Sequence, residues 1–236
     1  MKKLIILGGG GFASEIAETI EQINQASGSV GDVFQIVGFV YDGAENDKDT
    51  ENWQESLYHL RILGEFDILE SMDLFDVDFV CAVSTPEIKK KLVKKIKSLG
   101  GKFATLIHPK TILSPKTVMG EGCIIQSNCI LTGYGIVLGD FVTLNDNVAI
   151  GHRAKVGSFT HINPNTNVSG EAEIGEDVFV GVKATILKAK IGNGAVIGAC
   201  ALVTKDVPDN LMAKGIPAVL FEKSSKRYRD NDVKNV

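Results

Sequence analysis

Two of the chain's four histidines, His152 and His161, lie nine residues apart in VAIGHRAKVGSFTHI, and Arg153 directly follows the first. Imidazole ordinarily titrates at about pH 6.5, so a neutral ring can take a proton from a reacting amine or hydroxyl near neutral pH. No serine or cysteine nucleophile motif stands beside His152, which favours a base acting on bound reactants over a covalent intermediate. A guanidinium next to the ring would disfavour a second positive charge, or could meet a phosphate or carboxylate on a substrate. The remaining histidines, His59 in a polar segment and His108 before Pro109, read as structural.

A second chemical feature is the glycine run at the start. In KKLIILGGGGFASEIAETIEQI an apolar strand passes through four glycines into a helix with Ile16, Ile20 and Ile23 on one face. Gly8, Gly10 and Ala13 fit the G-x-G-x-x-A pattern, in which bare backbone lets a phosphate approach the helix start. The same glycines would also serve a purely structural turn. FQIVGFVYD, ending at Asp42, and VDFVCAVS, ending at Ser84, read as further strands. The latter precedes a helix with Ile88, Leu92, Val93 and Ile96 as its apolar face and lysines elsewhere. Alternating strands and helices predict a small parallel sheet, with Gly8, Gly10, Gly11, Phe12, Asp42 and Ser84 converging beyond the strands' carboxyl ends as a substrate site. Residues 43–60 form a polar insertion expected to be a surface loop or short helix.

From residue 107 the spacing rule becomes six. Aliphatic residues fall at Ile107, Leu113, Met119, Ile125 and Leu131, slip by one to Leu138, and continue every sixth residue to Ile186. After a one-residue deletion they resume at Ile191, Ile197 and Val203. Four residues after many of them stands a small or β-branched residue, among them Cys123, Cys129, Val142, Ala154, Thr160 and Ala184. A period of six fits neither a helix nor a flat strand. It is a solenoid signature, three six-residue strands closing one triangular coil so that residues 18 apart stack. His152 then points outward, and Glu171, 18 residues beyond Arg153, is expected to pair with it.

Composition bounds the partners. The chain has 236 residues, a net charge of −4 and interspersed lysines and glutamates, which points away from nucleic acid and anionic membranes. No apolar run approaches the roughly 20 residues of a membrane span, and the opening run is too short and glycine-rich to read as a signal peptide, so a cytoplasmic protein is expected. The four cysteines, Cys81, Cys123, Cys129 and Cys200, lack metal or disulfide spacing and read as small buried thiols. No metal is expected.

The period of six over 107 to about 205, with its ending VTKDVPDNLMAKGIPA, resembles the left-handed parallel β-helix of the hexapeptide-repeat acyltransferases. GGGGF, VGFVYD, AVSTPEIKKKL and LIHPKTILSP extend the likeness over nearly the whole chain, to the bacterial nucleotide-sugar N-acetyltransferases and related sialic-acid O-acetyltransferases. The resemblance implies an α/β Rossmann-like nucleotide-sugar-binding domain (residues 1–105), then a left-handed β-helix acyltransferase domain with a C-terminal tail (106–236). It also implies a homotrimer with active sites between subunits, making surface glycan precursors. Acetyl-CoA would be the co-substrate and the amine of a UDP-4-amino-sugar-like nucleotide sugar the acceptor. By the same likeness His152 is the general base with Asn145 beside it in the catalytic set, while His161, Gly170, Val182 and Ala199 line the cofactor groove.

Several positions depart from that pattern: Phe12 replaces a frequent histidine, Tyr41 an acidic residue, Ser84 a glycine, Val219 a basic residue and Arg153 an Asp or Glu. Lys205, Lys214 or the tail KSSKRYR could supply the missing cation for coenzyme A phosphates, and Asp146 a carboxylate to orient His152. Acetylation of a sialic-acid or other sugar hydroxyl is the alternative activity. An NAD-dependent oxidoreductase, for which Asp42 comes late in the fingerprint, and a non-catalytic solenoid are less favoured readings.

Overall fold

The computed structural model describes residues 1–28, 34–41 and 61–223. Asp42, His59, the 43–60 insertion and the tail beyond Lys223 lie outside these. Five parallel strands, β1 (Lys2–Leu7), β2 (Phe34–Val40), β3 (Ile62–Gly64), β4 (Val77–Cys81) and β5 (Lys102–Phe103), form one sheet in the order β3-β2-β1-β4-β5. Leu4 to Leu7 of β1 are fully buried because both faces are covered, the condition that allows an unbroken apolar strand. Helix α1 (Gly11–Ser27) packs Ala13, Ile16 and Ile20 against Leu4 and Ile6, while α2 (Pro86–Ser98) packs Leu92, Val93 and Ile96 on the side of Ile5 and Leu7. The chain leaves β1 toward β2 and β3 on one side and returns to β4 and β5 on the other. The switch point therefore lies between the carboxyl ends of β1 and β4.

The apolar face expected for α2 needs one correction. Ile88 is 37% exposed, and Lys89, assigned above to the solvent side, is 1% exposed. The reason is a second body against the helix: Lys89 Nζ donates to Thr143 Oγ1 at 3.0 Å and to the Phe141 carbonyl at 3.4 Å.

That body is a left-handed parallel β-helix made of two-residue strands on three faces. The first face runs from Ile112–Leu113 to Leu202–Val203 and the second from Val118–Met119 to Lys190–Ile191. The third runs from Leu106–Ile107 to Val196–Ile197 and is extended by Leu211–Lys214 and Val219–Glu222. Stacked partners are 18 apart, as in Ile150↔Val168 and Val156↔Ile174. Partners become 19 apart across the slip, as in Leu131↔Ile150, and 17 across the deletion, as in Ile174↔Ile191. The inward aliphatic and small residues from Cys123 to Val203 form one buried column. Ile107, at 36% exposure, and the partly buried Leu113 and Met119 belong to the first coil, which has no coil below it among the described residues. Cys200 also departs from expectation: it occupies a turn at φ 58° and is exposed, whereas Cys81, Cys123 and Cys129 are buried.

The α/β unit sits on the third face. Leu106 and Ile124 enter the core beneath α1, and Phe141 enters the core beneath α2 with Phe159 packed against it. Phe141 stacks on Phe159 at 5.0 Å and meets Phe103 edge-on at 5.0 Å. Both Phe141 and Phe159 hold positive φ, at 57° and 62°, a conformation disfavoured for bulky residues. Aromatic stacking in the seam offsets that cost. Polar ties run alongside: Thr19 donates to Gln126 Oε1, His108 Nε2 to Gln22 Oε1 at 2.6 Å, and Lys90 pairs with Asp177 at 2.5 Å. The Lys110 amide donates to His108 Nδ1, which fixes the tautomer and confirms a structural role for this ring.

Candidate active site

The glycine run behaves as two pairs. Gly8, at φ 125°, passes so close to β4 that a Cβ would lie 2.7 Å from the Ala82 carbonyl oxygen, and Gly9 lies beneath the Tyr41 ring. Both are therefore required by packing. Gly10 and Gly11 face open space at the start of α1, and Gly10 caps that helix without a side-chain hydrogen bond. Backbone N–H groups at such a helix start suit a phosphate. Ser84 lies half-buried after β4, on the same crevice.

His152 is exposed at the turn between the first and second faces, immediately after strand Ala149–Ile150. Its side chain is held between two glycines. A Cβ on Gly133, one coil below at φ 104°, would lie 2.7 Å from the His152 Cβ, and one on Gly170, one coil above, would overlap the ring. The dipeptide is pinned from both coils, the Arg153 amide donating to the Tyr134 carbonyl at 2.8 Å and the Glu171 amide to the His152 carbonyl at 2.9 Å. Arg153 forms the expected ion pair with Glu171, whose other oxygen pairs with Lys188. The Tyr134 ring lies 6.5 Å from the imidazole and 5.6 Å from the Arg153 guanidinium.

His161 has the opposite environment. It faces outward from the third face, yet it is 2% exposed because the α/β unit covers that face. Its ring stacks on Phe179 at 5.7 Å, receives the edge of Phe12 at 5.6 Å and meets Asn145 Nδ2 at 3.3 Å. Burial, with Lys89 adding to it, pushes the imidazole down to about 3, so it stays neutral across the working range. Asn145 is accordingly a neighbour of His161 rather than of His152. Asp146 is engaged as well, its carboxylate accepting from the Ser127 amide and hydroxyl.

The predicted cofactor residues fall at separate edges of the prism. Gly170 shares the edge of His152, whereas Val182 and Ala199 lie on the edge between the third and first faces, with Asn145. Phe12 and the glycine run lie against the third face, opposite the His152 edge. One chain thus gathers Phe12, His161 and Asn145, but separates them from His152. Sequence reasoning missed Tyr134 and Lys89. The slip in the repeat at 132–137 was the only signal for Tyr134, and Lys89 left none. Among the described residues no group of three or more His, Cys, Asp or Glu side chains could hold a metal ion, and no helix is long and apolar enough to cross a membrane.

Residues 3–96 match the PglD N-terminal domain family. The whole architecture superposes on the acetyltransferase domain of PglB from Neisseria gonorrhoeae, solved with acetyl coenzyme A, at a TM-score of 0.79 and 27% identity, over 93% of this chain and 99% of that one. Residues 3–96 thus carry the likeness to the PglD N-terminal domain, and the full chain is similar in architecture to an acetyltransferase domain. PerB from Caulobacter crescentus, solved with CoA and GDP-perosamine, shares the fold at a TM-score of 0.81 and 22% identity, over 93% of this chain and 97% of that one. A chloramphenicol acetyltransferase from Klebsiella aerogenes is 42% identical over 66 residues, 28% of this chain and 30% of that protein. The chain thus spans about a third of the length of the curated relatives it matches.

Proposed function

We propose that this hexapeptide-repeat protein moves the acetyl group of acetyl-CoA to the amine of a nucleotide-linked amino sugar. The α/β unit, taken as residues 1–105, holds the nucleotide sugar, with its diphosphate at the Gly10–Gly11 helix start and Ser84 as a further contact. The domain taken as residues 106–236, a β-helix with a C-terminal tail, holds the thioester. The PglB domain, solved with acetyl coenzyme A and similar over nearly its full length, supports the co-substrate. PerB, solved with GDP-perosamine, supports the acceptor class.

His152 acts as general base. Its imidazole removes a proton from the amine as the nitrogen forms a bond to the thioester carbonyl carbon. The tetrahedral oxyanion is met by a backbone N–H of the coil. Collapse of that intermediate breaks the carbon–sulfur bond, and the proton passes from His152 to the coenzyme A thiolate.

One observation carries this reading: the His152 ring stands exposed on the edge opposite the face that bears the glycine run. A catalytic unit then needs two chains, the His152 edge of one meeting the α/β unit and the Val182–Ala199 edge of the next, as a closed trimeric ring would arrange them. The test is release of free coenzyme A thiol with GDP-perosamine, UDP-linked 4-amino sugars and free sialic acid as acceptors. Thiol release with an amino sugar, lowered about 100-fold or more in His152→Ala while the oligomer persists, is expected. Near-normal turnover in that variant would refute the assignment, and reaction with sialic acid alone would shift it to hydroxyl acetylation.

A further inference from the structure

We infer that Tyr134 is the positioning residue for the His152 imidazole, locked in turn by the chain Arg153–Glu171–Lys188; this rests on the assignment of His152 as base. A catalytic imidazole is commonly oriented by a carboxylate, and the carboxylate nearest in the ladder here is already committed. Glu171, one coil above, bonds Arg153 with one oxygen and Lys188 with the other.

What surrounds the ring instead is shape. Gly133 lies below the His152 Cβ and Gly170 above the ring, which fixes two sides. The Tyr134 ring stands on a third side, 6.5 Å between centroids and tilted 37°. Tyr134 is itself 57% exposed, so burial does not hold it. It is held by the guanidinium 5.6 Å from its ring and by the bond from the Arg153 amide to its carbonyl. A cation over an aromatic face contributes attraction even at exposed sites.

The interruptions of the repeat have the same explanation. The one extra residue between Leu131 and Leu138 builds the Gly133-Tyr134-Gly135 turn, with both glycines at positive φ, that brings a ring beside residue 152. The missing residue between Ile186 and Ile191 sets Lys188 above Glu171 on this edge. Both departures from six thus fall on the edge that carries the base. Arg153 replaces the expected acid because it holds Tyr134, and Tyr134 orients the ring.

The experiment compares Tyr134→Ala, Tyr134→Phe and His152→Ala in the full chain, with acetyl-CoA and GDP-perosamine or a UDP-linked 4-amino sugar. Tyr134→Ala is expected to lower kcat roughly 10- to 100-fold with KM for acetyl-CoA unchanged, and Tyr134→Phe, which keeps the ring, to restore most of it. Full kcat in Tyr134→Ala, or a Tyr134→Phe variant as slow as Tyr134→Ala, would overturn the inference while an inactive His152→Ala leaves the base assignment standing. Wild-type turnover in His152→Ala would overturn both.

Discussion

His152 and His161 are the same residue type one and a half repeats apart, and the fold gives them opposite chemistry. Nine residues is not a whole number of faces, so one ring lands on an open edge and the other on the face that the α/β unit covers. The first is supported from the coils above and below and left reachable by a ligand. The second is stacked between aromatic rings and held down to about 3, too low to exchange protons near neutrality. The difference teaches that the solenoid presents side chains on its outer wall, and that docking of the other unit decides which of them can do acid–base work.

That contrast can be broken most sharply at the open edge. Gly170→Ala places a methyl group where the imidazole now lies, so kcat is expected to fall about 10- to 100-fold with an unchanged melting temperature; full activity would show that the ring is free to lie elsewhere. At the covered face the expected effects are on stability. Lys89 is buried with no carboxylate partner among the described residues, and burial holds its amine below the usual lysine range. Lys89→Met keeps the volume and removes a buried polar group, so stability should change by less than about 1.5 kcal/mol. Lys89→Ala leaves a cavity and should cost about 2–4 kcal/mol in denaturant unfolding. Equal effects from the two would contradict the packing role.

A further effect at the covered face concerns pH. His161 binds its proton far more weakly folded than unfolded, where the ordinary value is about 6.5. The unfolded chain therefore takes up more protons as pH falls from about 6.5 toward 3, and stability is lost through that window. Between pH 6.5 and 5 the loss should be up to about 2 kcal/mol. A His161→Phe variant should show a shallower acid limb in thermal melts. An identical limb would mean that the ring is not held neutral by burial.

Much of the molecule was legible in the sequence because a solenoid repeats one local rule. The six-residue spacing gave the stacking, the slip and the deletion, and the 18-residue ladder gave the Arg153–Glu171 pair. What failed to show was every consequence of one unit docking on another. Lys89 reads as a solvated helix residue and His161 as a cofactor-groove residue until the third face is covered. Ile107 reads as core until the prism is seen to end beneath it. Tyr134 was hidden for a different reason: it sits in the residue that breaks the period, where a repeat rule says only that something is inserted.

The central claim is that the base and the sugar-nucleotide loop of one working site come from different chains. It is tested by mixing two variants that are each inactive alone: His152→Ala, and Gly10→Leu, which fills open space at the helix start. After unfolding and refolding together at equal amounts, about a quarter of the interfaces in a closed ring should pair an intact loop with an intact histidine, restoring about that fraction of wild-type thiol release. Hybrid oligomers with no recovered activity would contradict the account.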